Sequence, residues 1–383
     1  MKVLFVDDEA RVLEALERAL RIAGVGWEMR FVTSGQAALA ELEVARYDVI
    51  VSDMRMPGMD GAALLSAAFE RDPAMARVVL SGQAEEAAAL RVVRVAHQFM
   101  SKPCDAKILR QVVERSGMLH STLADPSLRA MLGGVDRLPS SLHVFQQLSE
   151  LLARDEVSAD AVAAVVRQDP AMASKLLQFA NSAFFARSRD IPDIRTAVIL
   201  LGTKTIKNLA LGFGVFATIG TQKGGGILSV EDLQRRAFST AKIASAAMPE
   251  RELTDAAFMA GLVCDVGELV LASKAPERLR AAWEAAAERG VARVVGEREI
   301  FGVSHVEVGA YLLNLWGLPF RVIEAVAHHH SPQPGAQSGR DLPLAVWLAS
   351  TLAAGEEPSP EQIQAYGAQS LFERARAAIP PAP

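Results

Sequence analysis

Cysteine is nearly absent from this chain. Cys104 and Cys264 are the only two in 383 residues, and they lie far apart without a partner motif. That excludes a disulfide framework and leads us to expect a reducing, cytoplasmic setting. Positive charge is also short: 40 Lys and Arg stand against 45 Asp and Glu, a formal net charge of −5. A polyanion finds no bulk footprint here, so no nucleic-acid partner is expected. The opening residues lack the basic flank, long apolar core and small-residue cleavage site of a secretory signal. The most apolar later stretch, Ala197 to Ile219, carries Lys204 and Lys207, which are costly at a bilayer centre. It reads as a buried or amphipathic helix, and no membrane partner is expected. What is present, 50% hydrophobic and 22% charged residues, is the composition of a soluble globular protein. The length predicts two or three domains.

The first third alternates short apolar runs with helix-period segments. Val3 to Val6, Met29 to Val32, Val49 to Ser52, Val78 to Leu80 and Gln98 to Met100 are brief and mostly β-branched or aromatic. Between them lie Ala- and Leu-rich stretches spaced by three and four, such as Leu13, Leu16 and Leu20. Strand and helix in alternation predict an α/β, doubly wound, five-stranded parallel sheet covered on both faces. This first domain spans residues 1–118, its last helix running from Asp105 to about Met118. Residues 119–134, with Asp125-Pro126 and Gly133-Gly134, read as a linker that is in part helical. Beyond it the period is helical almost throughout. Helix-start signals recur at Leu138-Pro139-Ser140, Ser158, Asp169-Pro170 and Ser229. Residues 135–332 are therefore expected to form an all-α domain, followed over 333–383 by a helical extension and a Pro-rich tail that frays.

In an open parallel sheet, ligands bind outside the carboxyl ends of the strands. Asp7 and Asp8 follow the first predicted strand, Asp53 ends the third, Ser81 the fourth, and Lys102 follows the fifth. An acid after one strand can be a simple helix cap; agreement at four strand ends points to a site. Clustered carboxylates repel unless a cation joins them, and an all-oxygen site suits Mg²⁺. Asp53 is then placed to attack phosphorus as a carboxylate nucleophile, with Lys102 balancing charge on the transferring oxygens. Ser81 is placed to donate a hydrogen bond to the bound group.

The segments Val6-Asp7-Asp8-Glu9, Ser52-Asp53-Met54-Arg55-Met56-Pro57-Gly58, Leu80-Ser81-Gly82 and Ser101-Lys102-Pro103 closely resemble the receiver domain of response regulators. The resemblance implies a histidine kinase as phosphoryl donor, Mg²⁺ held by Asp7, Asp8, Asp53 and the backbone carbonyl of Arg55, and slow self-dephosphorylation. It implies sheet order 2-1-3-4-5. It also makes Phe99 a switch aromatic that turns inward when Ser81 moves; the plainer reading of Phe99 is a core residue of the last strand. A homodimer formed on phosphorylation fits the same resemblance.

From Leu138 onward a second resemblance appears, to the HDOD domain, a relative of the HD phosphohydrolases. It is carried by Gln168-Asp169-Pro170-Ala171, Leu176-Leu177-Gln178-Phe179-Ala180-Asn181-Ser182, Ile194-Arg195-Thr196-Ala197-Val198 and Gly309-Ala310-Tyr311-Leu312-Leu313-Asn314-Leu315-Trp316-Gly317. HD enzymes hold metal with histidines and a His-Asp step, because metal-activated water attacks the phosphoester. Here the step reads Cys264-Asp265, the usual downstream lysine is Glu268, and the upstream helix offers Phe238 where the first histidine would sit. A thiol can ligate zinc; phenylalanine cannot. His305 and His328-His329-His330 remain. Consecutive helical residues point in different directions, and the run reads as a solvated helix end before Ser331-Pro332. No cofactor is therefore expected in the second domain. The expectation is a response regulator whose catalytically degenerate output domain acts on an unknown downstream protein. A metal-dependent phosphohydrolase or phosphodiesterase, using Asp265, His305, His329 and His330, and a nucleotide sensor in the same pocket are the alternatives.

Overall fold

The computed structural model describes the chain except residues 82–94, 103, 123–125, 134, 136–138, 153, 155–156, 182–190, 208–216, 220–228, 333–340 and 380–383. It divides into a first unit built on Met1–Arg137 and a second built on Leu138–Ala180, Asp190–Leu313 and Leu318–Pro383.

In the first unit β1 (Lys2–Val6), β2 (Glu28–Val32), β3 (Val49–Asp53), β4 (Ala76–Ser81) and β5 (Gln98–Ser101) form one parallel sheet in the order β2-β1-β3-β4-β5. Val3 to Val6 and Val49 to Val51 are buried, as unbroken apolar runs in a two-sided parallel sheet must be. Register places Val6 beside Ser52 and Asp53 beside Leu80, so the acid-bearing strand ends finish on one edge. Helices α1 (Ala10–Ile22), α2 (Gly35–Val44), α3 (Gly61–Arg71) and α4 (Ala106–Thr122) cover the sheet. In α1 the spacing of Leu13, Leu16 and Leu20 sets one buried face. Ser34 and Asp60 cap α2 and α3 through side-chain oxygens that accept from Ala37 N–H and Ala63 N–H.

A short helix, α5 (Pro126–Gly133), falls in the segment expected to be linker. It belongs to the first unit, where the buried Arg77 guanidinium donates to the carbonyls of Gly133 (2.8 Å), Met75 (2.7 Å) and Val95 (2.5 Å).

The second unit is helical but for one parallel pair of three-residue strands, β6 (Pro139–Ser141) and β7 (Ala217–Ile219). The purely helical expectation is corrected there: the Pro139-Ser140 start signal lies in β6, and the helix begins at Leu142. Its helices are α6 (Leu142–Leu152), α7 (Ala159–Val166), α8 (Pro170–Ala180), α9 (Ile194–Lys207), α10 (Val230–Ala247), α11 (Arg251–Val263), α12 (Val266–Lys274), α13 (Pro276–Glu288), α14 (Arg293–Phe301), α15 (His305–Leu315), α16 (Phe320–Ala327), α17 (Asp341–Ala353), α18 (Pro360–Ala365) and α19 (Gln369–Ala377). Ser158 and Ser229 cap α7 and α10. Asp169 caps α8, accepting from Ala171 N–H and Met172 N–H at 2.8 and 3.0 Å. Every residue of α8 is buried, and α10 packs on α11 and α17. Leu253–Lys274 is long and apolar enough to cross a membrane by composition alone, yet 83% of its window is buried and the turn at Cys264-Asp265 divides it. It is core.

Candidate functional site

Two side-chain clusters stand out, one in each unit. In the first, Asp7 and Asp53 are buried at the sheet edge while Asp8 faces solvent, and carboxylate oxygens of all three lie within 4.8 Å of one another. Lys102 joins them, its Nζ 2.7 Å from Asp7 Oδ2 and paired also with Asp53 Oδ1. Backbone amides fix the rotamers: Glu9 N–H donates to Asp7 Oδ1 at 3.0 Å, and Arg55 N–H donates to Asp53 Oδ2 at 3.1 Å. The loop after β3 closes tightly, because a Cβ on Gly61 would lie 2.2 Å from the Asp53 carbonyl oxygen. Burial pushes the Asp53 carboxyl above its ordinary range, more than Lys102 pulls it down, and the Asp7 charge adds to the rise. Burial alone would lower Lys102, but Asp53 and Asp7 raise it. The ammonium is therefore firmly charged, and the carboxylates remain in excess of it. The backbones of Ser81 and Phe99 end β4 and lie in β5, with Val79 beside Phe99; their side chains lie outside the described residues.

The second cluster forms where three segments meet. Asp265 sits at the turn into α12, His305 opens α15, and His329 and His330 follow α16. A Cβ on Gly267 would lie 2.0 Å from the His305 carbonyl oxygen, so the first turn of α12 touches the start of α15 backbone to backbone. Asp265 Oδ1 is 3.3 Å from His329 Nε2 and 3.7 Å from His305 Nε2, and His330 Nε2 is 3.3 Å from His305 Nε2. The reading of a solvated helix end does not hold. His329 is 0% exposed, His305 is 2% exposed, and only His330 reaches solvent at its rim. Helix α16 ends at Ala327, so residues 328–330 form a turn and the helical argument that scattered their directions does not apply.

The two altered ligand positions lie elsewhere. Phe238 packs edge-on against Phe258, their ring centroids 6.1 Å apart. The Cys264 thiol donates to Gly261 O at 3.3 Å, and burial keeps its pKa well above the usual thiol range. It is no ligand in this arrangement. Helix α10 instead turns Arg236 to the cluster, with Nε 3.0 Å from Asp265 Oδ2 and Nη2 paired with Glu268 Oε2. Glu268, at the usual lysine position, is thus answered by an arginine from another helix.

Glu297, in α14, was invisible in the sequence. Fully buried, it accepts from Trp283 Nε1 (2.8 Å), His305 N–H (2.8 Å) and His305 Nδ1 (2.7 Å). Burial would raise Glu297, but His305 outweighs it and, with Trp283, holds it at about 2. Burial would lower His305, but the hydrogen bond and charge of Glu297 lift it to about 9. Burial, then the charges of His329 and His305, presses His330 down to about 3. Asp265 stays well below its usual range despite burial, through His329 and Arg236. Beside this cluster lies a cavity of about 790 Å³ whose lining includes Arg235, Arg236, Arg293, Glu268 and His330.

Residues 138–332, just over half of the chain, match the HDOD domain family, and residues 3–114 match the response regulator receiver domain. The chain belongs to the HDOD family, and its receiver domain gives it the layout of a response regulator. A protein of Treponema pallidum is 29% identical over 237 residues, 59% of this chain and 44% of that protein. The DNA-binding transcriptional regulator NtrC of Salmonella typhimurium is 36% identical over 115 residues, 30% of this chain and 24% of the regulator. The chain thus spans less than half the length of these relatives. Among solved structures, the MmoQ response regulator of Methylococcus capsulatus is 23% identical with a TM-score of 0.50, covering 63% of this chain and 98% of its own. A virulence factor of Campylobacter jejuni is 18% identical with a TM-score of 0.53, covering 66% and 96%. These two share the fold.

Proposed function

We propose that Asp53 accepts a phosphoryl group from a histidine kinase and that the helical unit relays the signal through contacts with a downstream protein. The observation that carries this reading is one ammonium, Lys102, reaching both buried carboxylates at the sheet edge. Asp53 Oδ2 is oriented by Arg55 N–H and Oδ1 by Lys102, so the nucleophile is fixed before a donor arrives. Three convergent carboxylates against one ammonium fit a hard divalent cation. Asp7, Asp8, Asp53 and the Arg55 carbonyl would hold Mg²⁺, which when bound neutralises charge on the transferring oxygens. Lys102 keeps positive charge where that negative charge gathers. Ser81 as phosphoryl contact and Phe99 as switch aromatic belong to the same proposal, as do a cytoplasmic location and a phosphorylation-dependent homodimer.

The helical unit is read as non-hydrolytic. Cys264 points into its own helical turn, Phe238 cannot ligate, and the Arg236 guanidinium pairs with Asp265 Oδ2 and Glu268 Oε2, which supports that reading. The cavity supports a second reading, in which a phosphorylated small molecule such as a nucleotide binds uncleaved at Arg293, since Arg235 and Arg236 already pair with the lining acids Asp232, Asp265 and Glu268. Hydrolysis of a phosphoester that Asp265→Ala abolishes would replace both with the hydrolase reading.

The test of the main reading is intact-mass analysis after exposure to a small phosphoryl donor with Mg²⁺. One phosphoryl group is expected on the wild type and none on Asp53→Asn. Equal labelling of the two, or none on either, would sink the proposal.

A further inference from the structure

We infer that the helical unit takes up its downstream protein on a row of side chains, Arg167, Phe258, Phe238 and Lys242, and that the partner presents an acidic segment with an apolar or aromatic anchor. The inference rests on the reading that this unit acts by contact, and it names where and with what chemistry.

Helices α7, α10 and α11 each contribute to the row. Arg167 closes α7, Phe258 lies in α11, and Phe238 and Lys242 stand one turn apart on α10. The Arg167 guanidinium lies 5.7 Å from the centre of the Phe258 ring, and Lys242 Nζ lies 4.9 Å from the centre of the Phe238 ring. Between them the two rings meet edge-on at 6.1 Å. Each cation is held by the negative face of a ring, which leaves its charge directed to no acid. Arg167 and both rings are half-buried and Lys242 is exposed, so all four reach solvent. Phe238 takes no part in the histidine cluster.

Charge identifies the partner. Among the described residues neither Arg167 nor Lys242 is ion-paired, and Asp255, one turn before Phe258, is exposed and pairs with neither. On the same helix α10, Arg235 and Arg236 are both paired with acids. Two unanswered cations astride two rings are a local reversal of sign in a chain of net charge −5. Such a surface favours carboxylates at its ends and a buried apolar side chain at its centre. The platform is also rigid. A Cβ on Gly261, one turn beyond Phe258, would lie 2.9 Å from the Cα of Ala241, so α10 and α11 cross backbone to backbone beside the row. Little has to be ordered when a partner arrives.

The experiment selects displayed random peptides on the full-length wild-type protein and measures the winners, fluorescently labelled, by anisotropy. We expect sequences in which Asp and Glu flank Phe, Trp, Leu or Ile. Binding should weaken about tenfold or more in Arg167→Glu and in Lys242→Glu, the latter a change at an exposed position. Phe238→Leu keeps an apolar side chain in the packing and should weaken binding as well; melting curves confirm that each variant is folded. Neutral or basic winners, or no winners at all, overturn the inference. A wild-type dimer in light scattering that Lys242→Glu dissolves would give the surface to a second copy of the chain and overturn it too. Acidic winners that bind all three variants as tightly as the wild type overturn the place and leave the contact reading standing. Asp53 labelling is read separately by mass and is independent of each of these results.

Discussion

Each unit draws two acidic side chains around one internal cation, and the choice of cation separates them. In the receiver, Lys102 spans Asp7 and Asp53 with a single compact charge on a flexible stem. In the helical unit, Arg236 spans Asp265 and Glu268 with a planar fork. An ammonium can pivot and leave room for an incoming group; a guanidinium fixes both partners in one geometry. The first arrangement is suited to a site that changes its contents, the second to one that keeps them.

The largest expected effect breaks the receiver side outright: Asp53→Asn should abolish phosphoryl uptake, read by intact mass. Next is Arg236→Ala, which takes the guanidinium from two buried carboxylates and leaves Asp265 only its histidines; it should cost the helical unit about 3 kcal/mol in denaturant titrations. A loss under about 1 kcal/mol would show that solvent already answers those acids. Lys102→Ala should slow uptake about a hundredfold, the scale of losing one charge-stabilising donor. Lys102→Arg should not restore the rate, because the fork cannot take the lysine's position; full restoration would erase the distinction drawn above. The smallest effect concerns the thiol near each cluster. Burial, then Asp105, pushes Cys104 up to about 12, and burial keeps Cys264 well above its usual value. At pH 8 the half-buried Cys104 should then carry less thiolate than a free cysteine does. Alkylation should label both residues only after denaturation; rapid native labelling of Cys104 would show that site to be more open.

The two sites also differed in how far the sequence disclosed them. Asp7, Asp8, Asp53 and Lys102 were readable because a parallel sheet converts position after a strand into a shared edge, and Val- and Ile-rich runs mark the strands. No such rule aligns residues across a helical bundle. Asp265, His305, His329 and His330 could be named by type, yet their convergence depends on a turn replacing helix after Ala327. Phe238 and Arg236 are two positions apart, about 200° around α10, so naming the wrong one turned the wrong face inward. Glu297 sits in Glu297-Arg298-Glu299, which reads as a solvated helix face. β6 and β7, three residues each, are too short to show a period.

The contact between Gly267 and the His305 carbonyl bears on how this domain can vary over time. That joint is made of main chain, so it rests on the missing side chain at 267 and is not itself a contact of the side chains at 264, 265 or 305. Donors can be exchanged around it, histidine for cysteine or lysine for glutamate, while the crossing stays where it is. Such a scaffold can lose one chemistry and acquire another without refolding, because the mortise is cut in the backbone and the side chains are only what is set into it.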